Sequence, residues 1–121
     1  MLTPHFYPLR EELQSFLNRR QRAYEKLVAC WGAQAIPQIK LGAEVRYSPS
    51  LVECDLQKLA LGQGKYLLLE LSDTVFPMHL EQIIKIIIQE QGIIPILAHV
   101  ERCEYFLQKF PSKFLRHWVS R

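Results

Sequence analysis

Cysteine is scarce and unpaired in this sequence. Cys30, Cys54 and Cys103 are odd in number and show no C-x-x-C spacing. That argues against a disulfide framework and fits free thiols packed as small hydrophobes in a reducing cytoplasm. A thiolate phosphatase needs a cysteine followed by five residues and an arginine. The sixth residue after each cysteine is Ile36, Ala60 and Lys109, so that mechanism is excluded. No apolar run approaches the ~20 residues that span a bilayer. The opening MLTPHFYPLR lacks the basic-then-apolar order of a secretory signal. An excess of one charge is also missing, the net value being +3. The densest basic cluster, Arg19, Arg20 and Arg22, falls on an expected helix and reads as a solvated face, so no nucleic-acid partner is expected.

What is present is ordinary globular chain. Hydrophobic residues make up 49% and charged residues 22% of 121 positions, enough for one domain over residues 1–121 and too little for two. From Leu9 to Trp31 apolar residues recur at spacings of three and four, which predicts a long amphipathic helix entered at Pro8 and closed by Gly32. PQIKLGAEVRY alternates at Ile39, Leu41, Ala43 and Val45 and reads as a strand. Residues Ser50 to Leu61 suit a short helix. KYLLLEL predicts a strand covered on both faces, as parallel strands are. A second helix carries Leu80, Ile83, Ile84, Ile87 and Ile88 and ends at Gly92. IIPILAH is a further buried strand, and Glu104 to Trp118 is helical again. Strands and helices alternate, so the expected class is α/β with a mostly parallel sheet and crossover helices.

In such folds the ligand site lies beyond the carboxyl ends of the strands. Four candidate metal ligands stand there. His5 follows Thr3-Pro4, where a preceding strand would have finished. Glu44 sits in LGAEVR, Glu70 in YLLLEL, and His99 in ILAHVER. Two imidazoles and two carboxylates suit Mn²⁺, Fe²⁺ or Zn²⁺. Glu70 is the most informative, because a carboxylate between Leu69 and Leu71 on a buried strand needs a cation or hydrogen bonds to offset its desolvation. Singly, a buried histidine is more often a core residue, and a terminal glutamate more often a cap or ion-pair partner. His79 and His117 lack strand-end placement and read as surface residues. Arg102 can hold a phosphate through two parallel hydrogen bonds; the competing reading is a salt bridge to Glu101 or Glu104.

The order T-P-H, G-x-E, a glutamate closing an apolar strand, then H-x-E-R resembles the PHP (polymerase and histidinol phosphatase) superfamily. The likeness is greatest to its bacterial tyrosine-protein phosphatases of capsular and exopolysaccharide synthesis. It runs from TPHFY through LGAEVRYSPSL, GKYLLLEL and PILAHVER to HWVSR. The resemblance implies a TIM-like barrel and Mn²⁺-dependent hydrolysis of phosphotyrosine on a protein partner, a bacterial tyrosine kinase of polysaccharide synthesis, in the cytoplasm. It also implies His5, Glu44, Glu70 and His99 as metal ligands and Arg102 as a phosphate-binding catalytic residue.

This chain departs from the family pattern. The N-terminal H-x-H and C-terminal D-x-H motifs are absent, and H-P-E-R-Y is replaced by HVERC. The expected architecture is therefore a partial, open barrel, with impaired activity and self-association through poorly covered strand edges such as YLLLEL or IIPILAH. A non-catalytic interaction module and another PHP phosphoesterase, such as a histidinol-phosphate phosphatase, are the alternatives.

Overall fold

The computed structural model describes residues 1–32 and 37–105. The helix expected beyond Tyr105, with His117, lies outside them. Four strands, β1 (His5–Phe6), β2 (Glu44–Arg46), β3 (Tyr66–Glu70) and β4 (Ile94–Ala98), form one sheet. Every pairing is parallel, and the spatial order β1-β2-β3-β4 follows the chain. Helix α1 (Leu13–Trp31) links β1 to β2, and α2 (Leu80–Ile86) links β3 to β4. Between β2 and β3 the expected short helix is replaced by 3-10 turns at Pro49–Glu53 and Leu56–Leu59. Leu51, Leu56 and Leu59 are fully buried there, so packing rather than helix length sets this connection.

All the connections pack on one face. Phe6, Val45, Leu67 and Leu69 point from the strands into a core that also holds Phe16 of α1 and Leu80, Ile83 and Ile84 of α2. The alternate strand positions look the other way. Tyr66 is 40% and Ile96 43% exposed. The apolar run of β3 is thus covered on one face only by the described residues, a correction to the two-sided burial read from sequence. Its alternate set, Tyr66, Leu68 and Glu70, occupies the side that becomes the interior when such a sheet closes into a barrel. Nor is β3 an edge: it is paired on both sides, and among the described residues the edges are β1 and β4.

Two further expectations shift. His5 does not follow a strand but opens β1, paired with Glu44. The strand expected across Leu41 is regular only from Glu44, although Leu41 still bridges Leu2 in the same register. Pro4, which has no N–H to donate, interrupts the ladder between the two pieces. Gly42 lies at the gap, where an added Cβ would meet Leu61 Cδ2 at 2.8 Å. Likewise α1 begins at Leu13, not Leu9. The Tyr7 carbonyl accepts from the Arg10 and Glu11 amides in a preceding turn, leaving Leu9 82% exposed. The second helix runs as expected, widening at Ile87–Gln91 before Gly92 ends it in the left-handed region. Gln91 then fastens that end to the 3-10 turns, donating to the Cys54 carbonyl and accepting from the Leu56 amide.

A one-faced sheet makes a testable contrast. Phe16→Ala will cost about 3–5 kcal/mol, the range for emptying a buried aromatic site. Ile96→Ala, on the open face, will cost less than about 1 kcal/mol, since little burial is lost. Urea unfolding of both variants measures the difference; equal losses would mean that the second face is packed.

A candidate metal centre at the strand ends

Parallel register decides which side chains meet. Paired residues share a face, so His5 stands beside Glu44 and Arg46 beside Glu70. One ligand atom each from His5, Glu44 and Glu70 lies within 4.8 Å of the others. His5 Nδ1 is 3.9 Å from Glu70 Oε2. His99, at the end of β4, brings Nε2 to 3.4 Å from Glu44 Oε1. The structure therefore gathers all four sequence-derived ligand candidates at one end of the sheet.

His99 reaches this position through an unusual backbone. Its φ of 54° lies in the left-handed region, at a cost of about 1–2 kcal/mol for a residue with a Cβ. The next residues explain why the chain turns there. Its carbonyl accepts from the Arg102 amide at 2.9 Å, closing a 3-10 turn that drops Cys103 into the core. Glu101 Oε1 stands 3.7 Å from His99 Nδ1 and flanks the other side of the ring.

The two carboxylates are the feature that asks for a cation. Side-chain exposure is 12% for Glu44 and 18% for Glu70. Glu44 Oε1 and Glu70 Oε2 are buried without any hydrogen bond. Buried carboxylate oxygens facing imidazole nitrogens form a donor set that fits Mn²⁺, Fe²⁺ or Zn²⁺. His5, Glu44 and Glu70 could hold such an ion, with His99 adjoining.

Arg102 is exposed, and its guanidinium has no hydrogen bond or ion pair among the described residues. Neither competing salt bridge forms: Glu101 turns to His99, and Glu104 makes none among the described residues. No hydrogen bond or ion pair joins the Arg102 guanidinium to the carboxylate cluster either. His79 is exposed before α2, as expected of a surface residue. Arg46 is the site residue that the sequence reading missed. Its Nη1 lies 3.4 Å from Glu70 Oε2 and donates to the Leu71 carbonyl at 3.4 Å. The signal was available, because period-two alternation in EVR puts Arg46 on the face of Glu44.

Two tyrosines fix the loop that follows β3. The Tyr47 hydroxyl donates to the Met78 carbonyl, and the Tyr105 hydroxyl to the Ser72 carbonyl. Burial pushes both phenols up from the ordinary value, for Tyr105 with help from the Cys103 thiol. Burial, then the Glu53 charge, also raises the Cys54 thiol.

A family model described as "Capsular polysaccharide synthesis, CpsB/CapC" matches residues 1–114. The chain belongs to this family. Among solved structures, it resembles a chain from the crystal structures of YwqE from Bacillus subtilis and CpsB from Streptococcus pneumoniae, described as metal-dependent tyrosine phosphatases. Identity is 24% with a TM-score of 0.57, which establishes a shared fold. The match covers 82% of this chain and 38% of the other, so the chain spans well under half of the relative. No curated protein matches. For this member of the CpsB/CapC family, the four-stranded parallel sheet corresponds to part of a barrel. No helix among the described residues is long and apolar enough to cross a membrane.

The raised phenols set an alkaline limit. A folded-state pKa above the unfolded value means that the native state holds its proton longer. The stability this contributes is complete below pH ~10 and is lost as pH rises through the folded values. Thermal melts between pH 8 and 11.5 will show the midpoint falling above pH ~10. The fall will be shallower in Tyr47→Phe, which keeps the ring and removes the titrating group.

Proposed function

We propose that this chain carries a metal-binding strand-end site of the protein-tyrosine phosphatase type, with His5, Glu44, Glu70 and His99 as ligands and Arg102 as a phosphate-binding residue. The observation that carries this reading is the pair of undonated, buried oxygens, Glu44 Oε1 and Glu70 Oε2, facing His5 and His99. The preferred ion is Mn²⁺, and the substrate a phosphotyrosine protein, on this reading a bacterial tyrosine kinase of polysaccharide synthesis. His5, Glu44, Glu70 and His99 would hold the ion, and the chemistry it would supply when bound is a lowered pKa of water and an offset to charge on the phosphoryl group.

The protein's own groups supply the positioning. Glu44 and Glu101 flank the His99 ring and limit its rotation. The 3-10 turn after His99 sets the backbone of Arg102, whose guanidinium remains available for a phosphate. Tyr47 ties β2 to both sides of the neighbouring connection, its amide donating to the Glu70 carbonyl at 2.8 Å and its hydroxyl to Met78. Turnover by this chain is expected to be weak, because H-x-H and D-x-H ligands are absent from its sequence.

Calorimetric titration with Mn²⁺ and a phosphotyrosine-peptide assay test the proposal together. The chain will bind Mn²⁺, and Glu70→Gln or His99→Ala will weaken binding by about tenfold or more. Peptide turnover will be slow, will require Mn²⁺, and will rise when the family's H-x-H and D-x-H segments are joined to the chain. Failure of the wild-type chain to bind any divalent ion would reject the metal centre.

A further inference from the structure

Beside the carboxylate cluster lies a cavity of about 400 Å³ lined by Tyr7, Pro8, Leu9, Arg10, Arg46 and Tyr47. It is continuous with the site on two sides. Arg46 lines it while standing 3.4 Å from Glu70 Oε2. Tyr7 lines it while stacked on His5, ring centroids 5.8 Å apart at 15°. Among the described residues no carboxylate lines the cavity, whereas two guanidiniums do. Its remaining wall is aromatic and aliphatic. A concave, positively charged, partly aromatic space next to a metal-binding cluster suits an anion attached to a ring.

The two arginines are held differently. Arg10 lies over the Tyr7 ring, 4.8 Å from its centroid, at an exposed position on the rim. Arg46 is only partly engaged. Its Nη1 reaches the Leu71 carbonyl, and its approach to Glu70 is an ion pair without a hydrogen bond. Its Nε and Nη2 have no hydrogen-bond partner among the described residues. A guanidinium carries five N–H donors in a fixed fork, so most of this one is available to an incoming oxyanion.

We infer that this cavity is the recognition subsite for the aryl phosphate of an acidic peptide, with Arg46 holding the phosphate and Arg10 a flanking carboxylate. The inference rests on the proposed phosphatase reading for its substrate class and adds residues outside that reading's ligand set. It also gives Arg46 a second position. A cation bound by Glu70 repels the neighbouring guanidinium, which turns from the carboxylate towards the cavity. Metal and Arg46 therefore compete for Glu70, whereas metal and phosphate assist one another.

Calorimetry on the full chain separates these roles, using inorganic phosphate and an acidic phosphotyrosine peptide as probes, with and without Mn²⁺. Arg46→Gln is expected to weaken phosphate binding by about ten- to a hundredfold, the effect of losing a charged fork. Arg46→Lys will recover part of this. Mn²⁺ affinity in Arg46→Gln will be unchanged or higher, which a merely structural role would not produce. Arg10→Gln will leave inorganic phosphate binding intact and weaken peptide binding. Circular dichroism confirms that each variant is folded, and Arg10→Gln, on the exposed rim, keeps the subsite testable should Arg46→Gln unfold. Unchanged phosphate affinity in Arg46→Gln, or no phosphate binding by the wild type, overturns the subsite. Parallel loss of Mn²⁺ and phosphate binding also overturns it. If the wild type takes up no Mn²⁺, the metal centre fails. The subsite then stands if metal-free protein binds phosphate through Arg46 and falls if it does not.

Discussion

Two buried carboxylates without donors are the constraint on which the site turns. Moving a charged carboxylate out of water costs several kcal/mol unless it is paired, against a total folding stability of about 5–15 kcal/mol. Glu44 and Glu70 keep some solvent contact, so the real cost is lower than full burial implies, but neither finds a hydrogen bond for its inner oxygen. The parallel register leaves them little choice. A one-residue slip of β2 or β3 would send its glutamate into the core and expose Val45 or Leu69, so the hydrophobic face holds the carboxylates in place.

The cluster's nitrogen neighbours come from three directions. His5 approaches from β1, His99 from beyond β4, and Arg46 from β2 itself. Only Arg46 is permanently cationic among these. In the absence of a metal it is the charge nearest Glu70, yet its geometry favours the Leu71 carbonyl and leaves Oε2 undonated. An arrangement built solely as a salt bridge would place a guanidinium N–H on that oxygen. The pairing is incomplete, and Oε2 is left without a donor.

Most of the fold was legible because it rests on alternation and helical spacing, which are local. YLLLE and IPILA read as strands because their flanks are short and their runs apolar, and they are β3 and β4. The positions of Glu70 and His99 were legible for the same reason, since they close β3 and follow β4, whereas His5 and Glu44 open β1 and β2. What was missed depends on particular contacts that periodicity does not report. β1 is two residues long and exists only because β2 lies beside it. The start of α1 was misplaced because the Tyr7 carbonyl, not periodicity, organises residues 7–11. Arg46 was passed over because an arginine in a strand reads as an exposed residue until Glu70, 24 positions away, is seen beside it.

The alternation that aims the cluster also ties it to the open face. Leu68 pairs with both Glu44 and Ile96, so part of the polar cluster and part of the apolar floor share one row of a single surface. Tyr66 and Ile96 on that floor meet solvent among the described residues. Water there keeps the local dielectric high, and the attraction between carboxylate and cation falls in proportion. Covering the floor would remove apolar area from water and dry the neighbouring carboxylates in the same step. On the proposed metal-centre reading, ion binding and burial of Leu68 and Ile96 would be coupled through geometry alone: whatever packs on the floor would strengthen the site. By reciprocity, an ion held there would favour packing on the floor to the same extent.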